Sequence, residues 1–279
     1  MLKNIVIPTD GSKASLVSIE YSLNIAKLFG AKVTGLSVID IRRLAGPFIH
    51  DIGTSIGGMV PYGSFMDTIK DMLNSAADTA LLNLENMCKE KDVPFELKKE
   101  EGIITRLISE AAADADLIAM GKTGEHSEWS DALLGSNLES VVRQAHKPIL
   151  ITSEKHTPMT KLLVAYDGSD IAGKALKASA EIAGKMQLPG TVLCVGFGKE
   201  KIEELSSRAE QIFKPYSVDF KMSFENGEPE NVVLNKFNEG GYDFMAMGAY
   251  GHSKIRELIL GSTTVHIMRK VDAPLLICR

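Results

Sequence analysis

The sequence predicts an α/β fold made of two tandem domains, each with a doubly wound, parallel, five-stranded sheet. Three observations predict it. The chain repeats itself, each copy alternates short apolar segments with helical patterns, and 279 residues suit two domains of ordinary size. Alternating strands and helices favour parallel sheets with right-handed crossovers.

The internal repeat consists of three short blocks that occur in the same order in both halves. NIVIPTDGS at 4–12 recurs as KLLVAYDGS at 161–169, DLIAMG at 116–121 as DFMAMG at 243–248, and KPILI at 147–151 as APLLI at 273–277. Three ordered blocks indicate a duplication. We therefore predict a first domain over residues 1–155 and a second over 159–279, joined by a polar stretch around 153–160 that contains Pro158.

Within the first half, each element has its own sequence signal. The continuous apolar run from Ile5 to Pro8 is typical of a strand covered on both faces, and Gly30 suits the C-cap of the helix that follows. Periodicity predicts the remaining strands at 32–38, 95–98, 117–120 and 149–151, with helices over 105–112 and from Ser136 onwards.

The region between the second and third strands is the least patterned part of the chain. Its glycines predict that residues 44–65 are mostly a mobile surface loop. The following run, 66–87, has an apolar stripe at helical spacing, which predicts a packing surface. The second half has only a shorter helix there, around 202–213. The two domains are therefore unequal.

Composition limits the classes of function. Apolar residues make up 44% of the chain, charged residues 24%, and the net charge is -5, which argues against nucleic acid as a partner. No segment reaches the roughly 18 apolar residues of a membrane span, and no signal peptide is evident. Three scattered cysteines suit a reducing compartment. We expect a soluble protein of the cytoplasm, without a membrane partner.

Acidic residues follow the first strand of each half. In doubly wound sheets, ligands bind beyond the carboxyl ends of the strands, which is where Asp10 and Asp167 lie. A carboxylate at this edge can accept hydrogen bonds from ribose hydroxyls. The alternative is that the aspartates cap the next helix. Ser12 and Ser169 can form those caps, which leaves the aspartates for ribose.

A glycine motif follows the fourth strand of the second half. Its spacing is G-x2-G-x9-G-S, with Gly248, Gly251, Gly261 and Ser262 at the fixed positions. Glycine lets backbone amides approach a polyphosphate, and a helix starting at Ser262 adds free N–H donors and a favourable dipole. The alternative is that the glycines only form turns. A complete motif, present twice between a strand and a helix, favours phosphate binding.

This motif, with an aspartate ending the first strand, resembles the ATP-binding signature of the universal stress proteins. The resemblance covers the whole chain as two family domains. It implies a flavodoxin- or Rossmann-like fold of the adenine nucleotide-binding type and a ligand that is ATP, AMP or ADP with or without Mg²⁺. The six histidines show no metal-ligand spacing, so no metal site of the protein's own is expected. It also implies a regulatory or stress-response role with an unknown protein partner.

The resemblance further implies how the two halves associate. The last strands, at 149–151 and 275–277, are expected to pair and form an intramolecular pseudo-dimer. An apolar edge strand also needs cover, which agrees with this expectation. A further homodimer remains open.

The resemblance assigns binding residues in both halves. In the second half they are Ala165, Tyr166, Asp167, Val195, Met247, Gly248, Gly251, His252, Gly261, Ser262 and Thr263. The equivalent positions in the first half are Pro8, Thr9, Asp10, Val38, Gly121, Gly124, Gly135, Ser136 and Asn137. No catalytic residue is assigned in either half.

The first half departs from the motif. Ten residues, rather than nine, separate Gly124 from Gly135, and the extra residue is Glu125. Its carboxylate would repel phosphate, and Lys122 could offset that charge. We therefore predict that the second domain is the better nucleotide site.

Two other functions stay open at this point. A protein that has lost its nucleotide could serve as an interaction scaffold. Slow ATP hydrolysis is the second open function. It needs no dedicated base, because a bound Mg²⁺ polarises phosphate.

Overall fold

The computed structural model describes residues 1–42, 62–124, 134–249 and 260–279. The first half contains five strands and four helices in these ranges. In chain order they are β1 (Asn4–Pro8), α1 (Lys13–Phe29), β2 (Lys32–Asp40), α2 (Tyr62–Lys91), β3 (Phe95–Gly102), α3 (Ile104–Ala112), β4 (Leu117–Gly121), α4 (Ser136–Gln144) and β5 (Ile149–Thr152).

The second half repeats this order. Its elements are β6 (Leu162–Ala165), α5 (Asp170–Met186), β7 (Gly190–Val195), α6 (Lys199–Phe213), a short 3-10 helix (Lys214–Tyr216), β8 (Phe220–Glu225), α7 (Pro229–Glu239), β9 (Phe244–Gly248), α8 (Ser262–Lys270) and β10 (Leu275–Cys278). The alternation of strand and helix confirms the predicted α/β class.

All ten strands form one sheet in the order β3-β2-β1-β4-β5-β10-β9-β6-β7-β8. Neighbouring strands are parallel except β5 and β10, which pair antiparallel with Leu276 opposite Leu150. The expected pairing of the last strands is therefore present, and it joins two parallel sheets into one mixed sheet. Because this pair is antiparallel, the carboxyl ends of the strands in the two halves lie at opposite edges of the sheet.

Each face of the sheet is covered by helices from both halves. Strand side chains alternate between the faces, so that Leu150 packs into one apolar cluster while Ile149 and Ile151 pack into the other. The first cluster takes in buried residues of α1, α2, α5 and α6, and the second those of α3, α4, α7 and α8. Both clusters run across the junction between the halves, so each face has one shared core.

The helices that follow β1 and β6 begin at the predicted serine caps. The hydroxyl of Ser12 accepts a hydrogen bond from the Ser15 N–H at 3.3 Å, and that of Ser169 accepts one from the Ala172 N–H at 3.2 Å. Gly30 is the C-cap of α1 in the left-handed conformation, with φ of 64°. The three predicted caps are therefore confirmed.

Helix α2 corrects two predictions. It begins at Tyr62, inside the stretch predicted as loop, and residues 43–61 lie outside the described part of the chain. Its apolar stripe is buried at Ala80 and Leu84 but not at Met72, which is 67% exposed. The helix contacts β2 and β3, and residues near its middle contribute to a pocket described below.

None of the described helices is both long enough and apolar enough to cross a bilayer.

Candidate functional site

A pocket opens at the carboxyl edge of the first half, where β1, β2 and β4 end. It brings together eight of the nine residues that the sequence assigned to this half. They are Pro8, Thr9, Asp10, Val38, Gly121, Gly124, Gly135 and Asn137. Ser136, the ninth, is exposed at the start of α4 and is not part of the pocket lining.

Much of the pocket wall was not anticipated from the sequence. One side is largely apolar and combines Leu36 and Ile39 from β2 with residues of two helices, Leu73, Ala76, Ala77, Ile104 and Ile108. The α2 residues belong to the stripe interpreted as packing surface. The small side chains of Ala76 and Ala77 are the sequence signal that separates a cavity wall from a packed surface, because they leave room beside the strand ends.

The aspartates are engaged in the turn before the helix. Asp10 Oδ1 accepts the Ser12 N–H at 3.0 Å, and Asp167 Oδ1 accepts the Ser169 N–H at 2.9 Å. The expectation that the serine caps leave these carboxylates free is therefore wrong. A carboxylate has about four acceptor sites, so the turn bond and a ribose contact are compatible.

Gly124 lies directly against the carboxylate of Asp10. A Cβ atom at Gly124 would come within 3.1 Å of Asp10 Oδ2. The loop after β4 and the turn after β1 therefore meet in the pocket, as the motif requires.

Gly121 and Gly248 serve helix packing. A Cβ at Gly121 would lie 2.7 Å from Ala14 Cβ and 2.9 Å from the Ala14 carbonyl carbon, and one at Gly248 would lie 3.0 Å from the Ala172 nitrogen. The missing side chain lets β4 and β9 approach α1 and α5 closely. The sequence reading assigned these two glycines to phosphate alone, and their packing role corrects it.

The helices after the glycine loops begin without a side-chain cap. Gly135 is the N-cap of α4 and Gly261 that of α8, and neither helix start has a side-chain cap hydrogen bond. This contrasts with α1 and α5, which the serines cap. The first amides of α4 and α8 therefore combine N–H donors with the positive end of a helix dipole, an arrangement that suits an anion.

Lys122 is directed toward the other half of the molecule. Its Nζ donates to the carbonyl oxygens of Arg269 at 2.7 Å and Val271 at 3.1 Å, at the carboxyl end of α8. Desolvation lowers the pKa of Lys122, and Asp272 partly opposes that shift. The expectation that Lys122 offsets Glu125 stays a prediction, because Glu125 lies outside the described residues.

The second half places its predicted residues at the opposite edge of the sheet. Ala165 and Val195 are half-buried at their strand ends, but Tyr166 is only 3% exposed and Met247 is buried, so both side chains belong to the core. Burial raises the pKa of the Tyr166 hydroxyl. Ser262 and Thr263 start α8, while Gly251 and His252 lie outside the described residues.

The thiols offer no reactive group in these surroundings. All three cysteines are buried and free, and burial raises the pKa of Cys88 to about 11 and those of Cys194 and Cys278 to about 12. In the described ranges, no three His, Cys, Asp or Glu side chains are grouped so that they could hold a metal ion.

The fold defines a class of protein, a Rossmann-like α/β protein in which a glycine motif follows the fourth strand of each half. The family model described as "Universal stress protein family" matches residues 1–153 and 197–279. The chain belongs to the universal stress protein family.

Individual relatives agree with this assignment. Universal stress protein Slr1230 of Synechocystis is 28% identical over 291 residues, which is 100% of both chains. Universal stress protein MJ0531 of Methanocaldococcus jannaschii is 35% identical over 156 residues, or 55% of this chain and 84% of that protein. A crystal structure of a universal stress protein from Archaeoglobus fulgidus has the same fold, with a TM-score of 0.78, 24% identity, and coverage of 99% and 98% of the two chains.

Proposed function

We propose that this protein binds an adenine nucleotide, ATP foremost, at the carboxyl edge of its sheet and acts as a regulatory protein of the stress response. The observation that carries the proposal is the first-half pocket. Residues assigned from the sequence alone, on three strands and the glycine loop, line one cavity. A location in the cytoplasm remains part of the proposal.

The pocket offers a separate place for each part of a nucleotide. Val38 and Ile39 give the base an apolar wall, and Asp10 gives the ribose hydroxyls an acceptor. The phosphates would lie away from that carboxylate, toward Gly135 and the first amides of α4. Gly124 keeps the space between these regions open, because any side chain there would press against Asp10. A Mg²⁺ ion would accompany the phosphates.

Charge supports the second domain as the tighter site for ATP. The first-half loop, 125–133, carries three carboxylates and no lysine or arginine in its sequence, EHSEWSDAL. The second-half loop, 250–259, reads YGHSKIRELI, with Lys254 and Arg256 against a single glutamate. Since a triphosphate is strongly anionic, the second loop is the more favourable neighbour. We propose the same order of affinity.

Calorimetric titration of the full chain with ATP tests the proposal, with GTP as the control for the base. We expect ATP to bind and GTP to bind much more weakly. Thermal unfolding gives an independent measurement. Ligand at 100 times its Kd should stabilise the folded state by about 2.7 kcal/mol and raise the Tm.

The same measurements separate the other two functions. A protein that shows neither heat of binding nor a rise in Tm contradicts the proposal and favours the nucleotide-free scaffold. Release of phosphate over many turnovers would favour the slow ATPase instead.

A further inference from the structure

Helix α8 connects the two candidate sites across the molecule. It starts at Ser262, where the second-half glycine motif ends, and finishes at Lys270, beside Lys122 of the first-half glycine loop. This placement follows from the antiparallel β5–β10 pair, which puts the two ligand edges on opposite sides of one sheet. A helix of nine residues is about 13 Å long and behaves as a rigid rod over that distance.

Lys122 contacts the start of α4 as well as the end of α8. Its backbone carbonyl accepts the N–H of Gly135, the N-cap of α4, at 3.1 Å. Its side chain donates to the carbonyls of Arg269 and Val271, at the negative end of the α8 dipole. One residue therefore holds the phosphate-binding end of α4 in the first site and the distal end of α8.

A second contact joins the same two helix ends. Glu139, in the first turn of α4, lies 3.8 Å from the guanidinium of Arg269 in the last turn of α8, and it also pairs with Arg143 at 3.1 Å. At the other end of α8, the Thr264 hydroxyl donates to the Ala249 carbonyl at 2.8 Å. Helix α8 is thus fixed to the loop that follows β9 as well as to the first half.

We propose that the two nucleotide sites are coupled through Lys122 and α8, so that a nucleotide in the first site tightens binding at the second. This inference rests on the proposed function and adds regulation to it. A nucleotide at α4 fixes the Gly135–Lys122 contact, which fixes the carboxyl end of α8. The amides at the amino end of α8 then lose less freedom when phosphate binds them.

The contact that Lys122 makes has no counterpart from the second half. Ala249 is the second-half position equivalent to Lys122. The N–H of Lys122 donates a hydrogen bond to the Thr152 carbonyl, and the N–H of Ala249 donates the equivalent bond to the Cys278 carbonyl. The backbone is therefore the same at both positions, but alanine has no side chain that could reach α4. This equivalence also supplies a test variant, because Lys122→Ala introduces a residue that this backbone already accepts.

Because coupling between two binding sites is reciprocal, ATP in the tighter second site strengthens binding at the first by the same factor. The experiment therefore measures the affinity of the first, weaker site for ATP by calorimetry in four full-length proteins. They are the unchanged chain, Gly251→Val, which closes the second site, Lys122→Ala, and the two changes combined. We expect Gly251→Val to weaken the first site about fivefold. Lys122→Ala should weaken it by a similar factor, and adding Gly251→Val should then have no further effect. Lys155→Ala, at an exposed lysine of the linker, is the control and should behave like the unchanged chain.

The outcomes separate the coupling from the function itself. If the first site has the same Kd in all four proteins, the coupling is overturned while nucleotide binding stands. If Lys122→Ala leaves the first-site Kd unchanged in the chain whose second site is open, the coupling is overturned equally. If no protein binds ATP, the proposed function fails and the coupling with it. Should Lys122→Ala lose its native circular dichroism, Lys122→Met takes its place in the same comparison.

Discussion

The two halves share one scaffold but differ where the nucleotide is expected. Thr9, Lys122 and an acidic loop of ten residues in the first half correspond to Tyr166, Ala249 and a loop of nine residues with two cations in the second. The positions that set the backbone are the same, including the serine caps and the packing glycines at 121 and 248. The residues that hold the scaffold are therefore alike in the two halves, whereas the loop sequences and several pocket positions differ.

The largest expected effect distinguishes the two sites directly. Gly251→Val should fill the space for phosphate in the second half and weaken ATP binding there at least about 100-fold, or about 2.8 kcal/mol. The measurement is calorimetry on the full chain. Gly173→Val, where the new Cβ meets no atom within 4 Å beyond its chain neighbours and the backbone of its own helix, is the matched control. If the Gly251→Val protein binds ATP at the second site with undiminished affinity, the glycine motif does not hold the phosphates.

The packing glycines should respond differently from the motif glycines. Gly121→Ala places a methyl group 2.9 Å from a backbone atom of α1, so the free energy of unfolding should fall by about 2 kcal/mol. Urea unfolding checks this value. Gly173→Ala, in open space on α5, should leave stability unchanged or raise it. A fully stable Gly121→Ala protein would show that close packing does not require glycine there.

Deleting Glu125 tests the difference between the loops. The deletion restores the nine-residue spacing and removes a negative charge, so the first site should bind ATP about tenfold more tightly, or about 1.4 kcal/mol. Titrations on the Gly251→Val background isolate that site. Glu125→Gln removes the charge without changing the length and should give only part of the gain. Equal affinity in all three proteins would mean that the loop does not weaken the first site.

The smallest expected effect concerns the serine helix caps, which both halves have. Ser12→Ala and Ser169→Ala each remove one helix cap and should each cost about 1 kcal/mol of unfolding free energy. Paired urea titrations of the two variants give the comparison. Clearly unequal losses would contradict the view that the scaffold is energetically equivalent in both halves.

The strands were predictable because buried parallel strands are short apolar runs. β1, β4 and β5 fall within a residue of their predicted bounds. The predicted third strand stopped at Lys98, whereas β3 continues to Gly102 through Lys99, Glu100 and Glu101. It is the edge strand of the sheet, and its charged residues hide the strand pattern.

The site was predictable in its strand ends and loop but not in its long-range contacts. Residues such as Asp10 and Gly124 follow strands that end at one edge, so their proximity follows from topology. The contact of Lys122 with Arg269 spans 147 positions and depends on how the two halves are placed against each other. The wall formed by α2 was missed because apolar residues that line a cavity have the same helical spacing as apolar residues that pack against a sheet.

The central strand pair has a practical consequence for handling this protein. Every residue of β5 and β10 is buried, and each strand is the inner border of its own half. Cleavage within the linker and separation of the two halves would expose β5 and β10 as apolar edge strands with unpaired amides. Exposed edge strands of this kind pair with strands of other chains. Isolated halves are therefore expected to self-associate, and the intact polypeptide is the proper unit for purification and binding studies.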